Sequence, residues 1–355
     1  MGWIVWASLE TPDPGGNGGQ RRQYHQLREV IRRGHDVVAL TLAGSQSDAA
    51  LRDIADVVRA SRRRALMLEL VRLSRGRRAP IIVAHAETYA AVRPVLPMLR
   101  APVLLDVHNV YSRWYASQGD AAAARRARRL ERSYLRTVGT VSVCSAEEAA
   151  ALARGRSDRR EILVNGLGID SDAWRSCAVV QAKRQHVVYA SHREHGPNRD
   201  AEEWLVHEIW PRVRAQLPSA ELVVAGPGGR IGADASNGIS WPGRVDDLQG
   251  LLSAAAVVAI PLRTGMGSRL KFADALASGT ATVATPLAAE GFDVPADSWR
   301  AASDALTFSD AVVELLMDQG AATRLGARGR SAALERLPWA RTSKPLLDWC
   351  AAHDG

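Results

Sequence analysis

Val257-Val-Ala-Ile-Pro-Leu262, followed by Arg263-Thr-Gly-Met-Gly-Ser-Arg-Leu-Lys-Phe-Ala-Asp-Ala-Leu-Ala-Ser-Gly279, reads as a strand, a glycine turn and a helix. The opening run is apolar and β-branched, as strands are when a sheet is covered on both faces. Gly265 and Gly267 free the backbone to turn. From Arg269 to Ser278, the residues Leu270, Ala273, Leu276 and Ala277 fall on one helical face, and Gly279 ends the helix. Amides around Gly267 and Ser268 then sit at a helix start, where they suit an anion that Arg269 or Lys271 would neutralise. Lys271 and Asp274 are three apart and share a face. They form either a surface ion pair, or a phosphate cation beside a carboxylate that holds two ribose hydroxyls.

The same strand and helix alternation runs through the chain. Strand-like runs are Ile4–Ser8, Asp36–Leu42, Pro80–His85, Val103–Asn109, Thr140–Ser145 and Glu161–Asn165, then His186–Ser191, Glu221–Gly226, Val257–Leu262 and Thr282–Thr285. Such alternation predicts an α/β protein with doubly wound parallel sheets. At roughly 150 residues per domain, 355 residues make two. The pattern restarts near residue 185, which places a linker at about 169–182. The expected domains are therefore 1–170 and 183–335, with 336–355 as a C-terminal helix.

A second glycine turn, Pro14-Gly-Gly-Asn-Gly-Gly-Gln20, precedes a helix over Gln20–Arg33 with Tyr24, Leu27, Val30 and Ile31 on one face and Gly34 as the stop. It reads equally as an anion-binding turn and as a flexible loop. Gly226-Pro-Gly-Gly-Arg-Ile-Gly232 has the glycines of a dinucleotide loop, but no apolar helix follows, so it reads as a surface loop.

Net charge is +8, with 46% hydrophobic and 24% charged residues. The basic excess is arginine in alanine-rich stretches, chiefly Arg59–Arg78 and Arg125–Arg136. It reads first as a solvated surface, and second as a weak peripheral contact with an anionic membrane. Nucleic acid is the least expected partner and is not predicted, since zinc-finger spacing, an RRM signature and aromatic-interleaved basic stripes are all absent. No run approaches the ~18 residues of a membrane span. Cys144, Cys177 and Cys350 are scattered without metal-ligand spacing, and no basic leader precedes the first strand. Those features predict a cytoplasmic location.

Over Val187–Phe292 the chain resembles family 4 of the retaining GT-B glycosyltransferases. The resemblance is carried by Val187-Val-Tyr-Ala-Ser191, Pro197-Asn-Arg-Asp-Ala-Glu-Glu-Trp204, Glu208-Ile-Trp-Pro211, Trp241-Pro-Gly-Arg-Val-Asp-Asp-Leu248, Gly265–Gly279, Ala281-Thr-Val-Ala-Thr-Pro286 and Ala289-Glu-Gly-Phe292, in that order. Gly18-Gly-Gln-Arg-Arg22, Gly34-His-Asp-Val37 and Leu105-Asp-Val-His-Asn-Val-Tyr-Ser112 extend it into the first half.

The resemblance implies a GT-B fold of two Rossmann-like domains facing a cleft. The first domain would take the acceptor and the second a nucleotide sugar, and the last helix would return to the first. It implies that Asp274 binds the ribose and that amides of Gly267 and Ser268 hold the diphosphate. Arg193 would bind phosphate, with Lys271, Arg199 and Arg269 as further donor-site cations. Arg244 and Val245 of the Gly243 turn would read the base. His108 would stand beside the donor sugar, and Gly18 and Gly19 would close over the phosphates. Where the family often carries two glutamates separated by seven residues, this chain has Met266 and Asp274.

These residues imply retaining transfer, with amides and an arginine stabilising the charge that grows on the leaving phosphate. No cofactor is required beyond the nucleotide sugar itself. A divalent metal is not expected, because no Asp-x-Asp follows a strand. His85 and Glu87 read as structural, His192 and His195 as donor neighbours, and Glu290 as either a sugar contact or a loop cap. A non-catalytic nucleotide- or glycan-binding protein and a GT-B-fold epimerase are the alternatives.

Overall fold

A computed structural model describes residues 2–42, 48–77, 79–154, 161–177, 185–265 and 269–353. The chain forms two compact units. One comprises residues up to Leu167 together with those from Trp339 on; the other comprises Gly168–Gly265 and Arg269–Pro338.

The first unit is built on β1 (Trp3–Ser8), β2 (Asp36–Leu42), β3 (Asp56–Ala60), β4 (Ile81–Ala84), β5 (Val103–Asp106), β6 (Thr140–Val143) and β7 (Glu161–Val164), in the order β3-β2-β1-β4-β5-β6-β7. Every pairing is parallel. Helices cover both faces, so the central strands are buried throughout and must be apolar. Order reverses between β1 and β4, and in such sheets ligands bind beyond the strand ends at that point.

The sequence shows no strand at β3, where Asp-Val-Val-Arg-Ala carries two charges at the sheet edge. Arg59 thus belongs to a strand, and the helix read into the basic stretch begins at Arg63. The helix Gly18–Arg32 packs fully buried Leu27 and Val30, each contributing ~1.5–3 kcal/mol. Its opposite turns bury Arg22, Gln23 and Gln26.

The chain end completes this unit. Trp339 stacks on His25, with ring centroids 5.5 Å apart. The helix Lys344–Ala352 buries Leu346, Leu347, Trp349 and Cys350 against Ile4, Trp6 and Leu27. Asn165 Oδ1 accepts from the Leu346 amide at 2.9 Å, and the Trp349 indole donates to Thr140 Oγ1 at 3.1 Å.

The second unit carries β8 (His186–Ala190), β9 (Glu221–Ala225), β10 (Gly232–Asp234), β11 (Ile239–Gly243), β12 (Val257–Ile260), β13 (Ala281–Ala284) and β14 (Arg300–Ala301), in the order β10-β11-β9-β8-β12-β13-β14. All neighbours are parallel except the β10–β11 hairpin. Neither β10, β11 nor β14 reads as an apolar run in the sequence.

Part of the stretch read as a linker belongs to this unit. Ile169 bridges Pro338, and the helix Ser171–Ser176 buries Trp174 in the core. The helix Gly196–Trp204 continues through a wider π turn, Leu205–Ile209, into Trp210–Gln216. Pro211 lacks an N–H and crowds the turn before it, and the π turn absorbs that misfit.

Candidate active site

In the first unit the ends of β1, β4 and β5 meet the start of the helix Gly18–Arg32. Asn17 caps this helix: its side chain accepts from the Gln20 amide, while Gln20 Oε1 accepts from the Asn17 amide. The Gly18 and Gly19 amides stand ahead of the first intrahelical bonds. A Cβ on Gly19 would lie 3.0 Å from His85 Cε1 and 3.3 Å from His108 Nδ1. Glycine is what lets the helix begin this close to both rings.

Below the rings sits a buried charge pair. Arg22 and Asp106, both 0% exposed, join through two bonds of 3.2 and 2.9 Å. Arg22 also donates to the Asn165 carbonyl at 2.8 Å, and Ser142 donates to Asp106. Burial alone would raise Asp106, but the Arg22 charge, the adjacent His108 and the hydrogen bonds from Arg22 hold it well below the carboxylate range.

His108 Nε2 lies 3.1 Å from Asp106 Oδ2, and the His108 and His85 ring centroids are 3.6 Å apart. Burial pushes His108 down, against the pull of Asp106. Burial and then the neighbouring His108 push His85 down to about 2. The loop after β5 is pinned from beneath: Glu148 accepts from the amides of Val110 and Cys144, and Glu131 from that of Ser112. At the rim, Tyr111 donates to Glu87 at 2.8 Å. Burial, with the charge of Glu87, raises Glu10.

In the second unit the helix Leu270–Ala277 starts at Arg269 after β12. Gly267 and Ser268 lie outside the described residues. Lys271 is half-buried, and burial pushes its amine down to about 7. Its Nζ donates to Asn198 Oδ1 at 2.6 Å and lies 5.1 Å from the Tyr189 ring centre. Tyr189 in turn donates to the Asn198 carbonyl at 3.1 Å. Burial and the charge of Lys271 lower His195. Asp274 lies one turn further on, 4% exposed. Arg269 is drawn to Glu290, 3.6 Å from its carboxylate, so Glu290 both caps a short helix and holds this arginine.

Arg193 has different company. It lies 3.0 Å from Glu202 and 3.8 Å from Glu203, and it lines a cavity of about 330 Å³ with Trp210, Arg230 and Trp241. Lys271 is not part of that lining. The Gly226 loop is exposed but packs on the Arg193 segment. Its Pro227 carbonyl accepts from the Arg193 amide at 3.0 Å, and a Cβ on Gly226 would strike the Ser191 carbonyl. Arg199 and Arg244 are exposed, His192 is exposed, and Val245 is half-buried.

Sequence reasoning missed Arg22, Asp106 and Gln23. The available signal was Arg22, Gln23 and Gln26 spaced to share one helical face, opposite a strand ending in Asp106.

Two family models match the chain: one described as glycosyl transferase 4-like domain over residues 17–168, and one as glycosyl transferases group 1 over residues 184–318. No protein of curated function matches it. Among solved structures, the chain is similar to sucrose-phosphate synthase from Thermosynechococcus elongatus, with 18% identity, TM-score 0.75 and 99% of each chain covered. TarM of S. aureus is similar at 9% identity and TM-score 0.79, covering 100% of this chain and 99% of that one. Anabaena HepE, solved with UDP and glucose, is similar at 12% identity and TM-score 0.72, over 98% and 99%.

Proposed function

Since the chain belongs to the family 4-like GT-B glycosyltransferases, we propose that it moves a sugar from a nucleoside diphosphate sugar to an acceptor hydroxyl, with retention at the anomeric carbon. The bond from that carbon to the leaving phosphate oxygen breaks, and a bond to the acceptor oxygen forms on the same face. The leaving phosphate takes the acceptor's proton, so neither a separate base nor a metal is required.

The observation that carries this reading is Lys271. A half-buried amine at a helix start, bonded to a neutral amide and lowered by burial, has no ion pair among the described residues. A diphosphate supplies one. Asp274 on the same helix takes the ribose. Gly18, Gly19, Gly267, Ser268, Arg269, Arg199, Arg244 and Val245 complete the donor contacts, and Arg193 joins them by exchanging Glu202 for phosphate.

Thermal unfolding with UDP, GDP, ADP, CDP and dTDP, with and without magnesium, tests the nucleotide site. One diphosphate is expected to raise the midpoint in proportion to its occupancy. HepE complexes with UDP and UDP-glucose make UDP the first to try. A chain indifferent to all five would be a non-catalytic relative. The anomeric proton coupling of the product, read by NMR, decides retention, and an inverted product would reject it.

A cytoplasmic enzyme with a weak membrane contact fits the helix Ala121–Thr137, which exposes Arg125, Arg126, Arg128, Arg129, Arg132 and Arg136. The acceptor is then a lipid-borne or soluble glycan, or a natural product. Phosphatidylglycerol vesicles should co-sediment the protein more than phosphatidylcholine vesicles do. That excess should vanish near 1 M salt, where the screening length falls to about 3 Å. Equal sedimentation with both vesicles would remove the contact.

A further inference from the structure

Two polar chains leave the helix Gly18–Arg32, and the first fixes where the proton of His85 lies. In the first, the buried Trp6 indole can only donate. It lies 3.4 Å from the Gln23 side-chain oxygen, so the Gln23 nitrogen, 2.8 Å from His85 Nε2, is the donor there. His85 Nε2 is therefore an acceptor, and the ring carries its proton on Nδ1. Glu10, at 3.9 Å from Nε2, is beyond hydrogen-bond reach.

In the second, Asp106, held ionised by Arg22, can only accept. His108 Nε2 faces it at 3.1 Å, outside hydrogen-bond alignment. Both ring nitrogens of His108 are buried with no hydrogen-bond partner among the described residues, and Nδ1 lies beneath Gly19 and the His85 ring. The His85 side chain is 16% exposed, whereas that of His108 is 3% exposed. A molecule arriving at this strand end meets His85 first.

The backbone agrees. His85 holds φ 73° and ψ 147°, a left-handed conformation that costs a β-carbon residue of order 1–3 kcal/mol. Such a cost persists where the side chain is needed in one place.

We propose that His85 is a substrate-contacting residue of the sugar site: its Nδ1–H donates to a hydroxyl oxygen of the bound sugar, while His108 packs beneath it. This rests on the glycosyltransferase reading and adds to it a specificity residue of fixed polarity. His85 stays neutral and donates; it does not accept the acceptor's proton, because Gln23 occupies its other nitrogen.

Long-range proton–nitrogen NMR on the full chain with labelled histidine reads the tautomers directly. His85, identified as the signal lost in His85→Asn, should show the Nδ1–H pattern. An Nε2–H pattern at His85 overturns the proposal. Turnover of UDP-glucose, or of the sugar of whichever diphosphate stabilises the chain, gives the second arm. In His85→Asn the amide nitrogen replaces Nδ1 but Gln23 loses its acceptor, so kcat/KM should fall less than in His85→Gly. His85→Gly relieves the backbone, folds, and should lose about tenfold, the size of one hydrogen bond. Diphosphate binding should be equal in all three. Full activity in His85→Gly with diphosphate binding intact sinks the proposal alone; an unaltered chain that turns over no nucleotide sugar sinks it together with the functional reading.

Discussion

Replacing Asp106 with asparagine is expected to destabilise the protein by roughly 3–5 kcal/mol, because the variant keeps the Arg22 guanidinium buried without its counter-charge. Both groups are 0% exposed, so water cannot repair the loss. Urea denaturation gives the value, and a loss under about 1 kcal/mol would mean that water reaches the pair. The double variant Arg22→Met, Asp106→Leu should recover most of the stability, since removing both charges also removes their desolvation cost. The pair also has a pH signature. Asp106 is held below its unfolded value, so its contribution is fully present above the ordinary carboxylate range and is lost as pH falls through and below it.

Diphosphate binding is expected to pull a proton onto Lys271. In the free chain its pKa is about 7. An adjacent anion raises that value, so affinity should be complete below about 7 and fall as pH rises above it. Calorimetry in buffers of different ionisation enthalpy should show uptake approaching one proton near pH 8, by simple titration from a free value of about 7. Lys271→Met should abolish that uptake and weaken binding roughly 10- to 100-fold, the worth of a charged hydrogen bond. Proton uptake unchanged in the variant would assign the proton elsewhere. Without ligand the sign reverses: the unfolded chain holds the lysine proton up to about 10.5, so this group makes stability rise with pH between about 7 and 10.5.

The central strands were legible because burial on both faces demands apolar runs, and β1, β4, β5, β8 and β12 have them. The two helices were legible, read as Gln20–Arg33 and Arg269–Ser278 and found at Gly18–Arg32 and Leu270–Ala277, from the glycines beside their starts and the apolar face after them. The edge strands β3, β10 and β14 were not. A strand with one partner and an exposed flank has no need of that pattern, and Asp-Val-Val-Arg-Ala or Gly-Ala-Asp gives none. Of the candidate site, Lys271 stands out in the sequence by its turn. The Arg22–Asp106 pair does not, since its members stand 84 residues apart and a buried charge reads like a surface one until its partner is known. The role proposed for His85 was not legible for a related reason: its polarity depends on Gln23 and Trp6, which look like ordinary helix and strand residues.

The helix Lys344–Ala352 has a consequence for the order in which the protein assembles. Its side chains fill the layer over Ile4, Trp6 and Leu27, and Asn165 and Thr140 bond to it. On the ribosome, Leu167 emerges well before that helix, and at 5–20 residues per second the wait is roughly 10–40 s. During that interval the first sheet has one apolar face only partly covered, by Leu27 and Val30, while the second unit, which runs to Pro338, is being made. The two units are therefore completed almost together, and the first half needs shielding until then, so that late truncations should cost yield in the soluble fraction out of proportion to the residues removed.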